Sequence, residues 1–304
     1  MVDSSPVTMP IHAPRPRLVA SGAPFEQWVW EMGGPPGAPA VVLLHGWMAT
    51  AALNWYPSMS YLGNHFRVVA PNLRGHGRQG CAGPPFSLAG CSDDLAALIR
   101  ALELKDVIVV GYSMGGAVAQ VLARRHRELL GGIVLCATAA DFAQRIRLRP
   151  AVRVTGALAS RAARAWPQGA SAFLRWRLAR HDLAVAARRK HGQAVAPPSK
   201  GPSALEEREL SHLAAFIESG AELNAYDATA WLPTLDLPSA ALITTRDAVV
   251  APWRQEKMAA LVPNCRRYPV DAGHDAALSA PGVFLPVLVR ACSDLLVAQQ
   301  ATHP

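Results

Sequence analysis

VVGYSMGGAVA, residues 109–119, joins an apolar run to a stretch of helical spacing, and within it Gly111-Tyr-Ser-Met-Gly115 fits the pattern G-x-S-x-G. Val107–Val110 reads as a buried strand and Met114–His126 as a helix. A serine at such a junction must turn very sharply, in strained backbone geometry. Side chains two residues to either side would clash, so glycine stands at 111 and 115, and Gly116 lets the helix lie close to the sheet. The turn lifts the Ser113 hydroxyl clear of the sheet and aims the first helical N–H, that of Met114, at the same place. The pattern alone is weak, because Gly and Ser are common. The strand before it and the helix after it make it specific.

The same alternation extends in both directions. Phe25–Glu31, Ala40–Leu44, Arg67–Ala70 and Gly132–Cys136 read as strands, and Asp93–Glu103 as a helix with Ser92 as its N-cap. Continuous apolar strands alternating with helices predict a parallel sheet covered on both faces. From about 141 to 231 no buried strand is seen. That stretch is rich in Ala, Arg and Leu and reads as inserted helices, one of them from Ser203, in capping-box spacing with Glu206, to Gly220 at its C-terminal end. Strands resume at Ser239–Thr244 and Arg266–Val270, and a helix from about Pro281 to Ala298 follows. There are no internal repeats.

The 304 residues suffice for one large α/β domain with an insertion. Half of the chain is apolar and 17% is charged, which excludes a disordered chain. No continuous apolar run approaches the roughly 20 residues that span a bilayer. Residues 1–24 carry five prolines and no signal-peptide-like apolar stretch, and read as an extended arm. Five cysteines without CxxC spacing fit a reducing compartment, so a cytoplasmic protein is expected. Charge is localised: residues 142–202 hold eleven Arg, two Lys and one acid, Asp182, a local net of +12 in a chain whose total is +8.

A serine hydroxyl is a poor nucleophile at neutral pH, so it needs a base, and the base needs an orienting acid. In this architecture the order is Ser…Asp…His. Asp247 follows Ala240–Thr244 by a short loop at the carboxyl end of the sheet, and His274 follows Arg266–Val270 in Asp271-Ala-Gly-His-Asp275. Asp141, just after Gly132–Cys136, is the strongest rival acid. His45-Gly46-Trp47 follows Ala40–Leu44, and Gly46 lets the backbone turn so that the Trp47 N–H faces Ser113. With the Met114 N–H it would form an oxyanion hole.

VVLLHGW (41–47), VVAPNLRGHG (68–77), VVGYSMGGAVA (109–119), TTRDAVVAP (244–252) and DAGHDA (271–276) together resemble the α/β-hydrolase superfamily, particularly bacterial serine esterases with a helical cap. The resemblance covers about residues 25–298 and is weakest in the insertion. It implies a mainly parallel eight-stranded sheet with helices on both faces, a core at 25–141 and 233–304, and a cap at 142–232. It implies triad roles for Ser113, Asp247 and His274 and oxyanion roles for Trp47 and Met114. One position departs: relatives usually carry Asp where this chain has Asn72, which weakens a close subfamily assignment but not the triad. Dehalogenases and epoxide hydrolases of this fold use a nucleophilic Asp where Ser113 stands, and are disfavoured.

The reaction implied is hydrolysis of small or medium apolar carboxylic esters through an acyl-enzyme on Ser113, with no metal and no cofactor. Thioester, lactone or C–C hydrolysis on the same residues stays open, as does perhydrolase or cofactor-free haloperoxidase activity. A non-catalytic ligand-binding protein is the alternative of another class, and an intact Ser–Asp–His set argues against it. His45, Trp55, Tyr112, Trp231 and Trp253 are candidates for the substrate pocket. The basic segment reads either as a surface for anionic lipid or an acidic acyl carrier, or as a solvated Arg-rich helix set; the second is favoured. Nucleic-acid binding is not expected, because no recognised motif accompanies the charge.

Overall fold

The computed structural model describes residue 14 and residues 16–77, 83–142, 158–165 and 213–302. Eight strands form one sheet: β1 (Arg17–Val19), β2 (Gln27–Met32), β3 (Ala40–Leu44), β4 (Arg67–Pro71), β5 (Val107–Tyr112), β6 (Leu130–Cys136), β7 (Ser239–Thr244) and β8 (Arg266–Val270). Their spatial order is β1-β2-β4-β3-β5-β6-β7-β8. β1 and β2 run antiparallel to their neighbours, and every pair from β4 to β8 is parallel. The eight-stranded, mainly parallel sheet is therefore as expected.

The strands read as unbroken apolar runs because both faces are covered. On β3, Val42 and Leu44 face one cluster of buried side chains while Val41 and Leu43 face another; on β5, Val107 and Val109 are opposed to Ile108 and Val110 in the same way. The helices α1 (Ala51–Leu62), α2 (Leu88–Ala101), α3 (Met114–Arg125), α4 (158–165), α5 (Leu213–Ala225), α6 (Pro252–Leu261), α7 (Ala276–Ser279) and α8 (Pro281–Thr302) are distributed over the two faces and the insertion. In α8, the window Pro281–Gln299 is long and apolar enough to cross a membrane by length and composition, at mean hydropathy 1.6. Its Phe284, Leu288, Ala291, Cys292 and Leu295 pack in the second cluster, which accounts for that hydropathy as a core-facing stripe.

Three expectations need correction. Residues 17–19 are not part of a free arm: they add an edge strand to β2, with Val19 turned inward and Leu18 outward. Flanking prolines hide so short a strand from pattern reading. Ser92 does not begin α2. Ser87 is the N-cap, accepting from the Gly90 N–H, and Ser92 is fully buried within the helix. The early start is supported by Glu218 and Glu222 of α5, which accept the Phe86 and Leu88 amides from across the fold, so no local signal marks it. Gly220 does not end its helix, since α5 continues to Ala225. Residues 203–212, with the capping box, and most of the basic stretch 142–202 lie outside the described residues.

Candidate active site

Ser113 stands between β5 and α3 with φ 53° and ψ −113°, a left-handed backbone that a serine adopts at a cost of roughly 1–3 kcal/mol. Its surroundings enforce it. The Ser113 N–H donates to the Cys136 carbonyl at 2.9 Å, and the Thr138 hydroxyl donates to the Ser113 carbonyl at 2.7 Å. The flanking glycines are required by close approach: a Cβ on Gly111 would meet the Gly115 carbonyl oxygen at 2.4 Å, and one on Gly115 would meet the Leu44 carbonyl oxygen at 2.4 Å.

The structure brings together all three residues expected to act as nucleophile, base and acid. His274 Nε2 lies 3.1 Å from Ser113 Oγ, and His274 Nδ1 lies 2.8 Å from Asp247 Oδ2. Asp247 is held from every side. Its Oδ1 accepts the Val249 and Val250 amides at 2.8 and 2.9 Å; its Oδ2 also accepts the Thr244 hydroxyl at 2.8 Å and the Gln255 side-chain amide at 3.2 Å. Burial alone would raise this carboxyl, but His274, the Val250 amide and the Thr244 hydroxyl together hold it below its usual range. Of the two candidate acids, it is the Asp247 carboxylate that meets His274 Nδ1, while Asp141 forms a backbone bridge with Asp227. Asp271 pairs with Arg246, and Asp275 accepts from Ser279.

The turn after β3 lies beside the serine. A Cβ on Gly46 would stand 3.5 Å from Ser113 Cβ, and the Gly46 N–H is fixed on Asn54 Oδ1 at 2.8 Å. Trp47 is the next residue, and Met114 opens α3 on the other side. Asn72, the departing position, is buried and accepts the Ala51 amide at 2.9 Å where α1 begins. An amide oxygen serves there as a carboxylate oxygen would, so the substitution leaves the loop supported.

The five pocket candidates have different surroundings among the described residues. His45 is fully buried, with Nδ1 against the Gly46 carbonyl at 2.9 Å and Nε2 accepting the Leu73 amide at 3.0 Å. Trp55 is wholly buried between Tyr112 and Phe284. Trp231 lies under the Arg124 guanidinium at the far end of α3, eleven residues or roughly 16 Å along the helix from Ser113. Trp253 is 64% exposed under the Arg254 guanidinium. Sequence position near catalytic segments says nothing of side-chain direction, and these side chains differ in it.

Tyr112 has a role that position did not reveal. Its hydroxyl donates to the His274 carbonyl at 2.6 Å and is met by the Ala277 amide, so it ties down the loop bearing the imidazole. Tyr112→Phe is expected to lower kcat about tenfold with KM little changed, since a small misplacement of the base costs rate rather than binding. Steady-state kinetics on a p-nitrophenyl ester check this; an unchanged kcat would remove Tyr112 from the account.

His45 and His76, with ring centroids 5.1 Å apart, predict acid sensitivity. Burial, and for His45 the neighbouring His76 as well, lowers His45 from 6.5 to about 3 and His76 from 6.5 to about 4, against the opposing pull of the Gly46 and Arg74 carbonyls that each ring meets. Both rings stay neutral in the fold while the unfolded chain takes up protons below pH 6.5, so stability falls as pH drops from there toward the folded values. Each histidine contributes a slope of up to about 1.4 kcal/mol per pH unit. Urea unfolding at pH 7, 6 and 5 should show the decline; a flat profile contradicts it.

The sheet order, with a serine at the sharp turn after β5 and a histidine and aspartate from the ends of β8 and β7, defines an α/β protein of the hydrolase type. A family model for the alpha/beta hydrolase fold matches residues 39–281, and the chain belongs to that family. A protein named for carbamate hydrolysis, RutD of Pantoea ananatis, is 28% identical over 273 residues, covering 88% of this chain and 91% of that one. A pimeloyl-[acyl-carrier protein] methyl ester esterase of Aromatoleum aromaticum is 40% identical over 107 residues, 35% of this chain and 40% of that one. The solved enol-lactonase of Burkholderia xenovorans LB400 superposes with a TM-score of 0.70 at 21% identity, covering 91% of this chain and 100% of that one. The match with the first curated relatives spans only 28% of their own length.

Proposed function

We propose that this chain is a serine hydrolase cleaving carboxylic esters of small to medium apolar substrates, with Ser113 as nucleophile, His274 as base and Asp247 as the acid behind it. The observation that carries the reading is the unbroken hydrogen-bonded line from Asp247 through His274 to Ser113. Ser113 Oγ attacks the ester carbonyl while His274 Nε2 takes its proton. The carbonyl oxygen, now an oxyanion, rests on the Trp47 and Met114 amides. His274 then protonates the leaving alcohol, and the acyl group remains on Ser113. Water, deprotonated by the same imidazole, attacks the acyl-enzyme and frees the acid. Asp247 keeps Nδ1 protonated and stabilises the imidazolium, without itself taking the proton. Residues 142–232, inserted between β6 and β7, act as a cap over this site. Among the described residues, the free thiols of Cys91, Cys136 and Cys292 are buried in the core, which supports a reducing, cytoplasmic setting.

The ester reading is tested with p-nitrophenyl esters of graded acyl length beside a thioester, a lactone and a β-diketone. Turnover should be fastest on short to medium esters. If the thioester, the lactone or the diketone is cleaved and no ester is, the bond is wrongly assigned while the residues stand.

A further inference from the structure

The turn that carries the proposed oxyanion donor is fastened to the insertion. The Trp47 indole stacks on Phe216 of α5, centroids 4.6 Å apart and planes 11° from parallel. Its Nε1–H donates to the Phe216 carbonyl at 3.2 Å. Its ring edge lies over Gly220, where an added Cβ would stand 2.9 Å from the indole. Trp47 is 39% exposed, so the ring is not simply filling the core. It reaches from a core loop to a helix 169 positions away.

The turn is held closely at Gly46, whose carbonyl accepts from His45 Nδ1 at 2.9 Å, and less closely beyond it. Its closing bond, from the Ala49 N–H to the Gly46 carbonyl, is 3.3 Å long, and Met48 occupies a left-handed conformation with φ 60°. A non-glycine residue holds such a conformation when its surroundings impose it. On one side Gly46 is anchored to Asn54. On the other, the constraint comes through the Trp47 side chain from α5.

We propose that α5 sets the direction of the Trp47 amide through the Trp47 indole, so that Phe216 and Gly220 are positioning residues for the oxyanion donor. This rests on the oxyanion reading of Trp47 given above. A shift of α5 against the core is thereby felt at the reacting carbonyl, and whatever moves the insertion alters turnover rather than substrate affinity.

Gly220→Ala tests the coupling. The added methyl meets the indole edge, while alanine is the better residue for a helix interior, so loss of fold is not the expected result. Four quantities are read: kcat and KM on p-nitrophenyl butyrate, the inhibition constant of a trifluoromethyl ketone, and Tm. The ketone adds to the serine as a tetrahedral oxyanion and so reports transition-state binding. With Tm held, kcat should fall about tenfold, KM should stay within about twofold, and ketone affinity should weaken in step with kcat/KM. Phe216→Leu, which removes the stacked ring, should move the same quantities in the same direction. Wild-type kcat and ketone affinity in both variants would overturn the coupling and leave Ser113 untouched. A lower kcat with unchanged ketone affinity would overturn it as well, because α5 would then act elsewhere. Failure of the underlying reading shows separately, as a wild type inhibited no better by the trifluoromethyl ketone than by the plain methyl ketone.

Discussion

Ser113→Ala is expected to lower kcat on a p-nitrophenyl ester by about four to six orders of magnitude while leaving the protein folded. Without the hydroxyl no acyl-enzyme forms, and only water, activated poorly by His274, can attack a carbonyl still polarised by the two amides. Stability should change little. Alanine meets the same backbone strain at φ 53° that serine does, and the bond given up is the one to His274 Nε2 at 3.1 Å. The bonds that hold the elbow, to Cys136 and from Thr138, involve the backbone of residue 113 and survive. Circular dichroism and Tm therefore accompany the kinetics. Wild-type turnover in a folded Ser113→Ala protein would remove the nucleophile from the account.

Asp247→Asn is expected to lower kcat by about 10⁴-fold. The carboxylate accepts from five donors: two amides, the Thr244 hydroxyl, the Gln255 side chain and His274. An amide in its place puts an N–H toward Nδ1. The imidazole then carries its proton on Nε2, where it faces Ser113 as a donor and not as a base. The side chain of Asp247 is fully buried, and a second N–H among donors leaves at least one unsatisfied, so a stability loss of about 1–3 kcal/mol should accompany the kinetic one. Asp141→Asn supplies the contrast and should keep kcat within about threefold, since it leaves the Asp247–His274–Ser113 line intact. If Asp141→Asn is the damaging change, the acid has been assigned wrongly.

Much of this site was legible because its demands on the chain are local. The elbow needs small residues at fixed offsets, and Gly111 and Gly115 face carbonyls that leave no room for a methyl group. Asp247 and His274 were found from chain order and from strands that end just before them. The strands were legible because both faces of the sheet are covered, which makes each an unbroken apolar run. What escaped depends on contacts between distant segments. Ser87 rather than Ser92 begins α2, with Phe86 and Leu88 held by Glu218 and Glu222 more than 130 positions on. Thr244 and Gln255 support Asp247, but the Gln255 amide reaches it only because α6 folds back over the end of β7. Sequence position put the aromatic residues near the site but did not give the direction of their side chains. Trp55 points into the core, Tyr112 is buried with its hydroxyl on the His274 carbonyl, Trp253 points outward, and Trp231 lies at the other end of α3. Gly220 read as a helix end because glycine often stands there. Here it is a mid-helix position over which the Trp47 ring packs.

The most direct test of the account is where a covalent bond forms. The wild-type protein, treated with a fluorophosphonate and digested, should yield one modified peptide, with the phosphonyl group on Ser113. The same treatment of His274→Ala should label far more slowly, because the hydroxyl then has no base. A phosphonyl group found on another serine, or labelling of Ser113 at the wild-type rate without His274, would contradict the claim that this elbow presents an activated nucleophile.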